Sequence, residues 1–254
     1  MKGLKVTVAD TSFDAQMHSM EIVPGQPDIA VGCQGLFLFR GGDLATGKRL
    51  SRRNLIAGKG DGAFFGDPTF SANYATLTTS SIIMQLPFTT TTAFTLMTIA
   101  RTSATLSGAD VPIFFGTGYG GNGGASMLAK DSDEYTFRTG YISGSTGGAT
   151  FAAPEIYASP SVWRLVFYYG DNGGTGGWNP ADTTRSPSYQ AASAGSTRLL
   201  TDFPLSFGGN PGTSSSGTFD IAAGASWARR LSQPEMQAVF DRFKAYYAPR
   251  GIDL

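Results

Sequence analysis

Phe219-Asp220-Ile221-Ala222-Ala223-Gly224-Ala225-Ser226-Trp227-Ala228-Arg229-Arg230-Leu231-Ser232-Gln233-Pro234-Glu235 is the stretch on which the reading of this chain turns. A short strand breaks at the Arg-Arg-Leu-Ser step and feeds one helix running to Tyr247. Ser232 and Glu235 stand at capping-box spacing, so each side chain can meet an orphan backbone N–H of the helix start. Pro234 falls in the first turn, where a missing donor costs little. Met236, Val239, Phe240, Phe243, Tyr246 and Tyr247 then recur at helical spacing as one apolar stripe.

Upstream, the chain is built of strands and turns. Gly35-Leu36-Phe37-Leu38-Phe39-Arg40 is a strand ending at the turn Gly41-Gly42-Asp43, and Lys48 to Asn54 carries four basic residues as a solvated loop. Asp61 to Phe70 and Tyr74 to Leu77 supply two short strands. Thr92 to Arg101 and Pro112 to Gly116 follow, and Tyr135 to Tyr141 alternates with period two. Val162 to Gly170 is nearly continuous in apolar and aromatic residues and is the strongest strand signal. Pro204 to Gly209 and Phe219 to Ile221 complete the set. Strands at this spacing, with one short helix, fit a jelly-roll sandwich.

The order of these strands, the Trp163 that opens the strongest of them, the Tyr74-to-Leu77 step and the closing strand and helix resemble concanavalin A-like lectin/glucanase (laminin-G-like) domains over Gly35 to Leu254. The resemblance implies an all-β, concanavalin A-like jelly-roll sandwich of two antiparallel sheets with one short C-terminal helix. Residues 1–34 differ from the rest: Lys5 to Val8 can form a strand, and Pro24-Gly25-Gln26-Pro27-Asp28 is a linker signal. They are expected to be an arm or added edge strand, preceding a single sandwich domain at 35–254.

Composition narrows the function. The 254 residues carry zero formal net charge and are only 15% charged, which removes the basic field that nucleic acid requires. No stretch approaches the ~20 apolar residues of a membrane span. Cys33 is the single cysteine, so neither an intrachain disulfide nor a thiolate zinc cluster is available. Met1 to Asp10 lacks the apolar run of an export signal. The expectation is a protein made and folded in a host cytoplasm and carried in a virion released by lysis.

Chemistry is sparse. The glycosidases of the resembled family carry Glu-x-Asp-x-Glu or a near variant, and two carboxyl groups must flank the bond about 5–9.5 Å apart. The glutamates here are Glu21, Glu134, Glu155 and Glu235, none in such a motif; Asp131-Ser132-Asp133-Glu134 is read as a solvated hairpin end. His18 is the sole histidine, far in sequence from Cys33. Gly118 to Gly124 lacks the Lys-Ser/Thr and helix of a phosphate loop. No catalytic residue and no cofactor is assigned.

Binding remains. A pyranose offers an apolar face ringed by hydroxyls, and is met by an aromatic platform beside Asp, Asn and backbone amides. The Gly-rich run Asp171-Asn172-Gly173-Gly174-Thr175-Gly176-Gly177-Trp178-Asn179-Pro180 holds that chemistry in one loop. The candidate glycan site is therefore Trp178, Asn179, Asp171 and Asn172, with Tyr119 and Asn122 from the other Gly-rich loop. Calcium, which some members of the resembled family bind beside their ligand, would draw on Asp171, Asn172 and Asp182. The expected function is a non-enzymatic phage virion structural protein, a tail, fibre or capsid decoration module. Its expected partners are other virion proteins, copies of itself or a surface glycan. A monomeric carbohydrate-binding module is the alternative, and a polysaccharide hydrolase or lyase the third reading.

Overall fold

A computed structural model describes residues 31–102, 106, 111–117, 124–131, 134–142, 149–152, 155–209 and 215–254. Residues 1–30, which make up most of the expected arm, lie outside these, as do Tyr119 and Asn122. In chain order the elements are β1 (Cys33–Leu38), α1 (Leu44–Ser51), β2 (Ala63–Phe65), β3 (Thr69–Phe70), β4 (Ala75–Thr78), β5 (Ile83–Gln85) and β6 (Phe94–Arg101). Next come β7 (Ile113–Gly116), β8 (Ala125–Asp131), β9 (Glu134–Ile142), β10 (Ala149–Ala152), β11 (Glu155–Tyr157) and β12 (Arg164–Asp171). The chain continues with β13 (Gly174–Trp178), β14 (Ser188–Ala191), β15 (Thr197–Arg198), β16 (Ser206–Phe207), β17 (Thr218–Trp227) and α2 (Gln233–Tyr247).

These form the expected all-β sandwich of two antiparallel sheets. One sheet runs β14-β13-β12-β6-β17-β4-β3, and the other β10-β9-β8-β7-β16-β5-β2, with β11 and β15 added along β9. The strand read as Phe219 to Ile221 is ten residues long, because it serves three partners. One side of β17 pairs with β6; the other is shared, with β4 along Thr218–Ile221 and β1 along Ala223–Trp227.

The sheet containing β12 is covered on both faces, which is why Val162 to Gly170 shows little alternation. Val166 and Tyr168 point into the core between the sheets, where Phe94 meets Tyr168 edge to face at 5.0 Å and Phe137 stacks on it at 5.0 Å. Leu165, Phe167 and Tyr169 point the other way, into a second core with Trp163, Trp227 and the buried stripe Met236, Val239, Phe240, Phe243 and Tyr247 of α2. Each such side chain withdrawn from water is worth about 1.5–3 kcal/mol. At the start of α2, the Glu235 carboxylate accepts from the Ser232 N–H and hydroxyl, both at 2.7 Å, and from Arg229 Nη2 at 2.7 Å.

Two sequence expectations are corrected. The basic segment from Lys48 is in large part helical: α1 covers Leu44–Ser51, and Asp43 caps it by accepting from the Thr46 N–H at 2.9 Å. A glycine at its centre hid the helix. Gly47 is buried, and a Cβ there would run into the Phe70 ring. The Gly-rich run after Gly170 is likewise no open loop but the hairpin β12–β13, in which Phe167 pairs with Trp178 and Asp171 with Gly174. Its glycines provide clearance: a Cβ at Gly177 would enter the Phe137 ring. Of the acidic cluster, Asp131 ends β8 and pairs with Glu134, which begins β9.

Candidate functional site

Trp178 leaves β13 on the outer face of its sheet, opposite Phe167, and belongs to the core that α2 covers. Only 6% of it is exposed. The expectation of an exposed aromatic platform is corrected: the residue is a packed wall, with only an edge at the surface. Asn179 is also buried, and its Oδ1 accepts from the Ala181 N–H at 3.2 Å, closing a local turn.

Asp171 and Asn172 sit at the other end of β13. Four residue steps along β13 separate Asp171's partner Gly174 from Trp178, a span of about 13 Å. Asp171 Oδ1 accepts from the Gly173 N–H at 2.8 Å, and its Oδ2 pairs with Arg230 at 3.3 Å. The Arg230 guanidinium lies between the rings of Tyr169 and Tyr189, 4.9 and 5.0 Å from their centroids. Asn172 Oδ1 accepts from the Arg198 N–H at 3.1 Å. The four residues read as one glycan site therefore split into two pairs. Asp182 lies on the Trp178 side of that split, so Asp171, Asn172 and Asp182 are not gathered into a calcium site. Among the described residues, no group of three or more His, Cys, Asp or Glu is placed to hold a metal ion.

Trp178 and Asn179 do line a depression of about 210 Å³, at the edge where β13 and β14 approach β11 of the other sheet. Glu155, Asp182, Arg185, Ser186 and Ser188 complete its polar lining. Asp182 accepts from the Thr184 N–H at 3.0 Å and hydroxyl at 2.6 Å, with Arg185 Nε 3.6 Å away. The Thr184 donors first, and then the charges of Arg185 and Arg164, hold its carboxyl below the usual aspartate range. It is thus an ionised acceptor at neutral pH, suited to sugar hydroxyls and unsuited to donating a proton. Sequence reading missed Glu155 and Arg185 as members of this site. Glu155 arrives from the opposite sheet, a neighbour that no local pattern announces; the Asp182-Thr183-Thr184-Arg185 step is the one local signal.

No protein-family model matches the sequence, and no curated protein does. Solved structures do match. The receptor-binding domain of botulinum neurotoxin D aligns with a TM-score of 0.59 at 9% identity, over 84% of this chain and 53% of that one. The botulinum neurotoxin serotype G binding domain aligns at 0.57 and 11% identity, over 84% and 51%. Trypanosoma rangeli sialidase, in complex with sialic acid, aligns at 0.55 and 10% identity, over 82% and 32%. The chain thus spans about half of the neurotoxin domains and a third of the sialidase. At such identities the likeness concerns architecture alone, a concanavalin A-like sandwich of two antiparallel sheets.

Proposed function

We propose that this chain is a non-enzymatic attachment and assembly module of a phage virion, a tail, fibre or capsid decoration protein that uses a lectin-like sandwich as a rigid block. One observation carries the reading: the sheet holding β12 is sealed on both faces, by the opposing sheet and by α2. Little of that sheet is left to flex, and recognition falls to the sandwich edges and loop ends. The likeness to a receptor-binding domain supports attachment as the role, at the level of fold. Its partners would be copies of itself, other virion proteins or a host-surface glycan.

The edge depression specifically favours a second reading, a monomeric carbohydrate-binding module. It joins the Trp178 edge to an ionised Asp182, Arg185 and Ser188, a lining fit for sugar hydroxyls. A hydrolase acting at this depression, rather than at the Asp131–Asp133 cluster, would have to use Glu155 and Asp182.

Sedimentation of the full chain, run beside adhesion to bacterial cells, separates these readings. A discrete oligomer that adheres supports the virion module. A monomer that binds soluble oligosaccharide supports the alternative, and release of reducing ends that disappears in Glu155→Gln would overturn both.

A further inference from the structure

At the end of the helix-bearing sheet, β6, β17 and β4 bring Arg101, Asp220 and Thr76 into one cross-strand row. Asp220 accepts from both neighbours, from Arg101 Nε at 3.0 Å and from Thr76 Oγ1 at 2.7 Å. The Arg101 guanidinium also lies 4.7 Å from the Trp163 ring centroid and 5.6 Å from that of Tyr74. These two rings meet edge to face at 5.5 Å. A charge pair and two aromatic rings therefore fix the cation before any ligand arrives, which lowers the ordering cost of binding. Nε is occupied by Asp220, and among the described residues no protein acceptor meets the two Nη groups. Those groups form the end-on fork that matches a carboxylate.

Arg101, Tyr74 and Trp163 line a depression of about 230 Å³, with Arg250 of the turn after α2, Ser71 and Asn73 also in the lining. Arg250 is held as firmly. Its Nη1 donates to the Tyr246 carbonyl at 2.5 Å, its guanidinium lies 3.8 Å from the Tyr246 ring centroid, and Asn73 Nδ2 donates to its carbonyl at 3.1 Å. Asp220 balances one guanidinium, while Arg250 faces a neutral carbonyl and a neutral ring. The lining thus carries a net positive charge.

We propose that this depression binds an acidic monosaccharide unit, its carboxylate held by Arg250 and the Arg101 fork and its apolar ring face set against Tyr74. The volume corresponds to about seven or eight waters at ~30 Å³ each, room for one sugar ring. A bare phosphate would use the guanidiniums but leave the aromatic wall wet; a neutral sugar would use the wall and leave the cations unmatched. The site is separate from the Trp178 edge and stands whether or not that edge binds a glycan.

Calorimetric titration of the full chain with galacturonate, glucuronate, galactose, acetate and phosphate tests the proposal. The expected result is that at least one uronate binds tenfold or more tighter than galactose, acetate and phosphate, and more weakly as salt screens the cations. Arg250→Gln and Arg101→Lys should each weaken that binding tenfold or more, with the melting temperature of Arg250→Gln kept near the parent value. Equal affinity for acetate or phosphate would reduce the site to a simple anion site and overturn the proposal. So would equal affinity for galactose, absence of binding by both uronates, or uronate binding untouched in Arg250→Gln.

Discussion

Trp178 and Trp163 are both buried tryptophans on the outer face of one sheet, and they have opposite surroundings. Around Trp178, glycines let neighbouring strands and rings close in, and its site lies at the sandwich edge. Around Trp163, the Tyr74 ring packs edge to face and the Arg101 guanidinium lies over the indole, where a charged row crosses three strands. The first is a packing element with a binding site beside it, and the second a packing element that positions a cation. Glycine-rich surroundings of an aromatic residue thus do not mark an exposed platform; what the ring holds in place is the better guide.

The largest expected effect separates the two regions directly. Trp178→Ala should cost about 3–5 kcal/mol, as for other truncated buried aromatics, and show as a large fall in denaturation midpoint. An unchanged midpoint would return the residue to the role of a surface platform. Gly177→Ala, which forces a Cβ against Phe137, should cost about 1–3 kcal/mol although it removes no contact.

Acid should act next, on the helix that leads to Arg250. Burial favours protonation of Glu235, but the hydrogen bonds from Arg229 and Ser232 outweigh it and lower its pKa to about 2, from 4.5. The folded value is the lower one, so this stabilisation is complete above pH ~4.5 and is lost as pH falls toward 2. It amounts to roughly 2–3 kcal/mol. Thermal melts between pH 6 and pH 2.5 should show a smaller decline for Glu235→Gln than for the parent; parallel declines would remove Glu235 as the cause. The smallest effect is expected for Asp171→Asn, which breaks a partly exposed pair with Arg230 and should cost about 0–1 kcal/mol in chemical denaturation.

Much of the fold was legible because its signals are local. The α2 stripe and the run from Val162 each declare their covered faces within a few residues. The helix α1 and the strand β13 were not legible for a shared reason. A glycine that clears space for Phe70 or Phe137 has the same letter as one that loosens a loop, and only the third dimension separates them. The candidate site was half legible: Trp178 and Asn179 share a depression as adjacent residues can. Asp171 and Asn172 are adjacent in the same run, yet the hairpin turns them to its far end. Glu155 comes from another sheet, and the Arg101–Asp220 row from pairings across more than a hundred residues, which no spacing rule recovers.

The three-way pairing of β17 also sets a schedule. The strand that joins β6 to both β1 and β4 is made late, after residue 217, so during synthesis that sheet exists as pieces with no common neighbour. Folding of the sandwich must wait for distant contacts and should be slow. Until β17 arrives, β6, seven of whose eight residues are buried in the finished protein, has one unpaired edge. That interval, rather than any weakness of the finished structure, is when the protein is most exposed to aggregation.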